Sequence, residues 1–397
     1  MSLRFGYAET GWARPPVARL REAQASVVRV LLPDPSPAWE PLAEYLDGVL
    51  EAGAAPMITI SGFYRPFDDP GAASAFAGRC GELVQACLDR WGGEAVRSWY
   101  WSIGNEPNSE WTHGGLTFEL YQRIYEETAG VIRGRLAPWL NGSRPRIGGP
   151  AVDGFQPFWL DWVWRLANQI DNSLVGFVCW HRFGEWRDYG EWGAPPDPAV
   201  FEGLLMGRAA DYQTRARAVS RLLRGRGILN VCGQWNAHSH HESRVSGRFN
   251  HSLFGAAYSA SGLLHLIRGG ADLEIAATRT AETGPYGALD PDRPASPSFL
   301  ARALLARFVR PGDRVRFPHS PRGLQVALVC GDGGRQSAVL VHLRDETAAF
   351  PLEEFSPRSG VTLLKIDGSG GGEISESPFD GRVAFQGYGV VVVGSGA

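Results

Sequence analysis

Glu106 stands in the run Gly104-Asn105-Glu106-Pro107-Asn108, directly behind the apolar stretch Trp99–Gly104. A carboxyl held at such a point can hand over a proton and take it back, and the flanking amides can hold hydroxyl groups. A second polar group, Gly233-Gln234-Trp235-Asn236, follows the apolar run Ile228–Cys232. Gln234 has the shape of a glutamate without its charge, so it can hydrogen-bond but cannot attack as a carboxylate. His181 follows the run Leu174–Trp180, and Glu9 closes the first run of the chain. Each has a plainer reading. Asn105-Glu106 could cap a helix with an acidic first turn, His181 could be a satisfied strand-end histidine, and Glu9 could pair with a barrel arginine. His238, His240 and His241 lack the i, i+4 spacing of a helical zinc pair. We read them as the wall of a binding cleft and expect no metal and no cofactor.

These positions matter only if the apolar runs lie side by side. The runs near residues 5–9, 26–32, 55–61, 99–104, 146–150, 174–180, 228–232 and 273–277 alternate with amphipathic stretches. The alternation predicts helices over residues 39–52, 73–90, 118–135, 158–170, 253–268 and 297–308, with another from Pro198 to Leu223. Eight strand–helix units predict an α/β fold, a (β/α)₈ barrel; an open doubly wound sheet is the competitor. In such a barrel the active site lies at the C-terminal strand ends, where Glu9, Asn105, Glu106, His181, Gln234 and Asn236 fall. After Pro311 the texture changes to short strands at 326–330, 338–343, 361–366 and 389–393, separated by Gly/Ser/Pro turns. The expected division is a barrel over residues 1–310 and a small β-sandwich over residues 311–397.

Composition narrows the partners. The 397 residues carry a formal charge of −3, which argues against nucleic acid and an acidic membrane surface. The five cysteines form no CxxC pair and no disulfide framework. No apolar signal segment opens the chain and no run reaches the length of a membrane span, so a cytoplasmic protein is expected. The 14 Trp are more than a core needs, and sugars present flat C–H faces that stack on aromatic rings. Trp111, Trp180, Trp186 and Trp192 are the candidate stacking platforms, whereas Trp159 and Trp162, three apart, fit the buried face of a helix.

The segment Trp101–Asn108, WSIGNEPN, resembles the acid/base signature of clan A glycoside hydrolases, and GQWN resembles the TEWN-type nucleophile segment of glycoside hydrolase family 39. The resemblance extends to His181 behind the sixth strand, residues 285–308 behind the eighth, and the trailing sandwich. It implies a retaining glycosidase with a carbohydrate substrate. Two carboxyls would lie roughly 5–5.5 Å apart, one protonating the leaving group and one attacking the anomeric carbon. Glu106 would be the acid/base and Asn105 would hold the sugar 2-hydroxyl. His181 would contact the sugar or buttress position 234, and Asn236, Trp180, Trp111 and Glu9 would line the substrate site.

The resemblance also implies a glutamate where this chain has Gln234. Three explanations stand: an engineered Glu→Gln replacement, a sugar-binding pseudoenzyme, or another carboxylate such as Glu242 or Glu282 as nucleophile. The chain departs from the family again at Phe183, where the family has a tyrosine. The Trp and acidic residues that the family carries after the eighth strand are not recognisable in residues 277–283 either, so the sugar is not carried over.

Overall fold

The computed structural model describes residues 3–9, 16–62, 70–109, 116–185, 198–239, 249–277, 289, 294–352 and 361–395. Eight parallel strands close into a barrel in sequence order. They are β1 (Arg4–Glu9), β2 (Val27–Leu32), β3 (Ala55–Ile60), β4 (Tyr100–Ile103), β5 (Ile147–Asp153), β6 (Phe177–Glu185), β7 (Leu229–His238) and β8 (Leu273–Ala277). The open doubly wound alternative is excluded by the β1–β8 pairing, Arg4 against Leu273 through Ala8 against Ala277. Helices Trp39–Glu51, Pro70–Trp91, Phe118–Leu140, Trp159–Gln169, Leu253–Gly269 and Pro297–Phe308 lie where the periodicity predicts them. The single helix expected over residues 198–223 is two, Pro198–Gly207 and Asp211–Leu222, joined by a short 3₁₀ turn.

Side chains alternate between the barrel interior and the helical layer, as the two-residue period of a strand requires. Val27, Met57, Tyr100, Phe177, Val231 and Leu273 fill the interior. Val28, Ile58, Trp101, Val178 and Cys232 face the helices. Trp159 and Trp162 pack against that outer core, as their spacing predicts.

The remaining strands form a six-stranded antiparallel sheet and a two-stranded one. The run Val390–Val393 explains itself here. Val390 and Val392 join the core shared with the barrel's helices, while Val391 and Val393 face Val383 and Phe385 of the small sheet. A strand buried on both faces has no polar alternation to show. Among the described residues no helix is long and apolar enough to cross a membrane.

One half-buried group makes stability depend on pH. His265, on helix Leu253–Gly269, meets Gln213 Oε1 at 3.1 Å across the helix pair. Burial, and then Arg268, lowers its pKa to about 4, against roughly 6.5 in an unfolded chain. Unfolding therefore takes up a proton between these values, so stability is full above about pH 6.5 and falls as the pH drops toward 4. The expected loss between pH 7 and pH 5 is at most about 2 kcal/mol from this residue. Urea unfolding of the protein and of His265→Gln at both pH values checks it. Equal pH slopes for the two proteins would contradict the assignment.

Candidate active site

The loop behind β4 is where the backbone departs from ordinary geometry. Glu106 sits in the left-handed region with φ of 53°, after Gly104 with φ of 94°. A glutamate there is strained by roughly 1 kcal/mol or more, and such strain collects at functional sites. The position is pinned by the Glu106 N–H, which donates to Ala151 O at 2.8 Å. Asn108 locks the same loop to β5: its Nδ2 donates to Asp153 O at 3.0 Å and its Oδ1 accepts from Asp153 N at 2.9 Å. Residues 105–108 form bends and turns, and the next described helix, Phe118–Leu140, is capped by Thr117 instead. Asn105-Glu106 is therefore no helix cap.

Position 234 is aimed by a bulge. His181 pairs with Gln234 while Trp180 pairs with Cys232, so Gly233 is the extra residue. A β-carbon on Gly233 would collide with Cys179 Sγ, which is why glycine stands there. Beyond the bulge Trp235 turns outward and is 1% exposed. Its Nε1 donates to Glu274 Oε2 at 2.6 Å, and Glu274 in turn accepts from Arg302 Nη2 at 2.7 Å. Tethering Trp235 in this buried network fixes the neighbour it follows. Asn236 Nδ2 donates to Ala277 O at 3.3 Å, tying β7 to the end of β8.

Inside the barrel mouth the groups converge. Arg29, from β2, is 2% exposed. It donates from Nε to Thr59 Oγ1 at 2.9 Å, from Nη2 to Asn105 Oδ1 at 2.6 Å, and from Nη1 to Gln234 Oε1 and Gly233 O, both at 3.4 Å. One guanidinium thus spans the β4 and β7 residues singled out by sequence. His181 is 1% exposed, and its Nδ1 lies 2.7 Å from Glu106 Oε1. The histidine therefore buttresses Glu106 rather than position 234, with its ring shut away from a sugar. Burial, aided by Arg29, lowers the His181 pKa, and the Glu106 contact opposes this. A neutral imidazole can accept the Glu106 proton in a hydrogen bond or donate its own to the carboxylate. Asp153 closes the group from β5, its carboxyl pushed up by burial and then by Glu106.

Other sequence expectations fare unevenly. Trp180 is wholly buried, donates to Asn230 Oδ1 at 2.8 Å and packs on Trp159, so it offers no face to a sugar. It points out of the barrel because it sits one residue from the inward His181. His238 is also fully buried, stacked on Phe249, and is no cleft wall. Phe183 packs with Ala277 and Phe155. Glu9 ends β1, but its side chain lies outside the described residues, as do Trp111, Trp186, Trp192, His240, His241, Glu242 and Glu282. Among the described residues no cluster of His, Cys, Asp and Glu could hold a metal.

Sequence reading missed Arg29, Thr59 and Asp153. Arg29 left a signal, a lone charge inside SVVRVLL, a run otherwise fit for burial on both faces. A cavity of about 500 Å³ opens among Arg4, Arg21, Tyr100 and Arg146. It lies at the N-terminal mouth, away from these groups.

No family model matches the chain, and no curated protein does. Solved structures do match. A family 39 β-xylosidase from Caulobacter crescentus superposes with a TM-score of 0.66 at 16% identity, over 100% of this chain and 96% of that one. CelM2, a bifunctional glucanase-xylanase from a metagenome library, gives 0.66 at 11% over 100% of both chains. A 4-O-α-L-rhamnosyl-β-D-glucuronidase from Fusarium oxysporum gives 0.69 at 10% over 99% and 96%. These neighbours are glycoside hydrolases, and at such identities the likeness is one of fold. The chain shares the fold of these enzymes, a family 39 β-xylosidase among them: a closed eight-stranded barrel followed by antiparallel sheets.

Proposed function

We propose that this chain is a retaining-type glycosidase whose proton donor is Glu106 and whose nucleophile place is held by Gln234, so that it binds glycosides but cannot complete double displacement. The observation that carries the reading is the Arg29 guanidinium bonded to both Asn105 and Gln234. It ties the β4 and β7 positions into one constellation, and His181 supports the carboxyl. Residues 1–310 would be the catalytic barrel and residues 311–397 an accessory sandwich. The second reading, a sugar-binding protein on a hydrolase fold, rests on the same constellation, because Gln234 keeps the shape of a carboxylate side chain and accepts from Arg29 without its charge.

Both readings place a sugar at the barrel mouth. Saturation-transfer NMR with β-xylosides and glucosides, after the β-xylosidase and the glucosidase of similar fold, tests them together. Binding that perturbs the Gln234 side-chain amide is expected. Absence of binding across a wide pyranoside and furanoside panel would overturn both.

A further inference from the structure

At the other end of the barrel stands a group of charges that the proposed chemistry does not use. Ala8 faces the barrel interior, so Arg4, four residues earlier on β1, faces it too, at the N-terminal end. There the cavity of about 500 Å³ opens, with Arg4, Arg21, Ser26, Tyr100, Arg146 and Pro311 in its lining. That volume falls within the usual range of small-molecule sites, ~300–1,000 Å³. Tyr100 arranges the two inner guanidiniums. It is wholly buried, its hydroxyl accepts from Arg4 Nη1 at 2.7 Å, and Arg146 Cζ lies 4.8 Å from its ring centroid. Arg146 Nη1 also donates to Ser98 O at 2.7 Å.

These partners are all neutral. Among the described residues neither Arg4 nor Arg146 forms an ion pair. The carboxylates nearby are engaged elsewhere. Glu51 pairs with Arg21 at 3.2 Å. Burial pushes the Asp272 carboxyl up, and its bond from the Asn230 N–H, at 2.8 Å, and the charge of Arg4 offset this only in part. Like charges gathered without counterions repel, and this end of a barrel ordinarily serves stability. Two guanidiniums with donors to spare, arriving from different strands, match an anion of two charges. A phosphate monoester carries about −1.5 to −2 near pH 7, on oxygens that point several ways. A carboxylate carries one charge in one plane and would leave one arginine unmatched. We propose that the N-terminal cavity is a second binding site, in which Arg4 and Arg146 hold the phosphate group of a small solute. The cavity is larger than a phosphate, so an organic portion fits toward Arg21, Ser26 and Pro311.

The test is calorimetric titration of the unaltered chain at constant ionic strength. The probes are inorganic phosphate, glycerol phosphate, adenosine monophosphate, and glycerol and adenosine themselves. The phosphate-bearing solutes should bind and the two unphosphorylated ones should not. An ester that binds roughly tenfold tighter than inorganic phosphate identifies an organic phosphate as the occupant. Esters that bind no tighter identify the free ion. Arg4→Gln and Arg146→Gln should each weaken binding roughly tenfold, the scale of one charge-assisted hydrogen bond. Arg21→Gln, at the exposed rim and already engaged by Glu51, should change it less than about threefold. If Arg4→Gln misfolds, Arg146→Gln carries the test, because Arg146 precedes β5 and its side chain lies outside the strand ladder. Failure of every phosphate-bearing solute to bind at millimolar concentration overturns the proposal, as does binding unchanged by Arg146→Gln. Glycoside binding is read at the opposite mouth, so either proposal can fail alone.

Discussion

Changing Gln234 to glutamate will turn on hydrolysis of aryl glycosides by roughly a thousandfold or more, the scale on which covalent enzymes lose activity when their nucleophile is removed. The constellation needed is already built. The Gly233 bulge aims the side chain, Arg29 holds its oxygen, and Trp235 anchors the strand from behind. Glutamate and glutamine have the same shape, so nothing need repack, and Arg29 gains a carboxylate in place of an amide oxygen. The product should keep the anomeric configuration of the substrate, because Glu106 can then act as acid in the first step and base in the second. Glu106 should also titrate higher in that variant, since an ionised neighbour disfavours its own ionisation. Carbon-13 titration of the carboxyl in both proteins measures this. Equal values would mean that the two positions are not electrostatic neighbours, and a binding panel with no turnover would favour the pseudoenzyme.

Adding Glu106→Ala to that variant should cost about 10²- to 10⁴-fold on glycosides with poor leaving groups, the usual worth of general acid catalysis. Dinitrophenyl glycosides leave without protonation, so their first step should be nearly spared and a glycosyl-enzyme should accumulate. This dependence on leaving group separates a proton donor from a residue that merely shapes the loop. Glu106 has left-handed backbone and bonds to His181, so its removal also relaxes structure. A loss equal for all leaving groups would mark it as structural.

The barrel was legible because its strands and helices obey their own periods almost without interruption. What was not legible lies where strands outrun their apolar runs. β6 and β7 were expected to end at Trp180 and Cys232, yet Arg182–Trp235, Phe183–Asn236 and Glu185–His238 still pair. Backbone ladders do not require apolar side chains, so composition cannot see them end. The same extension hid Asp153, since the Gly and Pro of β5 read as a strand end. Trp180 was misassigned because direction follows the two-residue register: Phe177 and Cys179 face the barrel interior, which turns Val178 and Trp180 toward the helices.

Glu106, Asn105 and Gln234 were singled out because they are polar residues directly behind apolar strands, a signal that needs no contact information, and Arg29 and His181 contact them in the fold. Their connector, Arg29, was passed over because it lies within a strand. A buried arginine is costly unless satisfied, so its presence in SVVRVLL is itself evidence of partners across the barrel.

The claim at the centre of this account is that position 234 is the nucleophile's place. The most direct test is to treat the Gln234→Glu protein with 2-deoxy-2-fluoro glycosyl dinitrophenolates and to sequence the labelled peptide by mass spectrometry. The account predicts one fluoroglycosyl group per chain, attached at position 234. A label on Glu242 or Glu282 instead would contradict it.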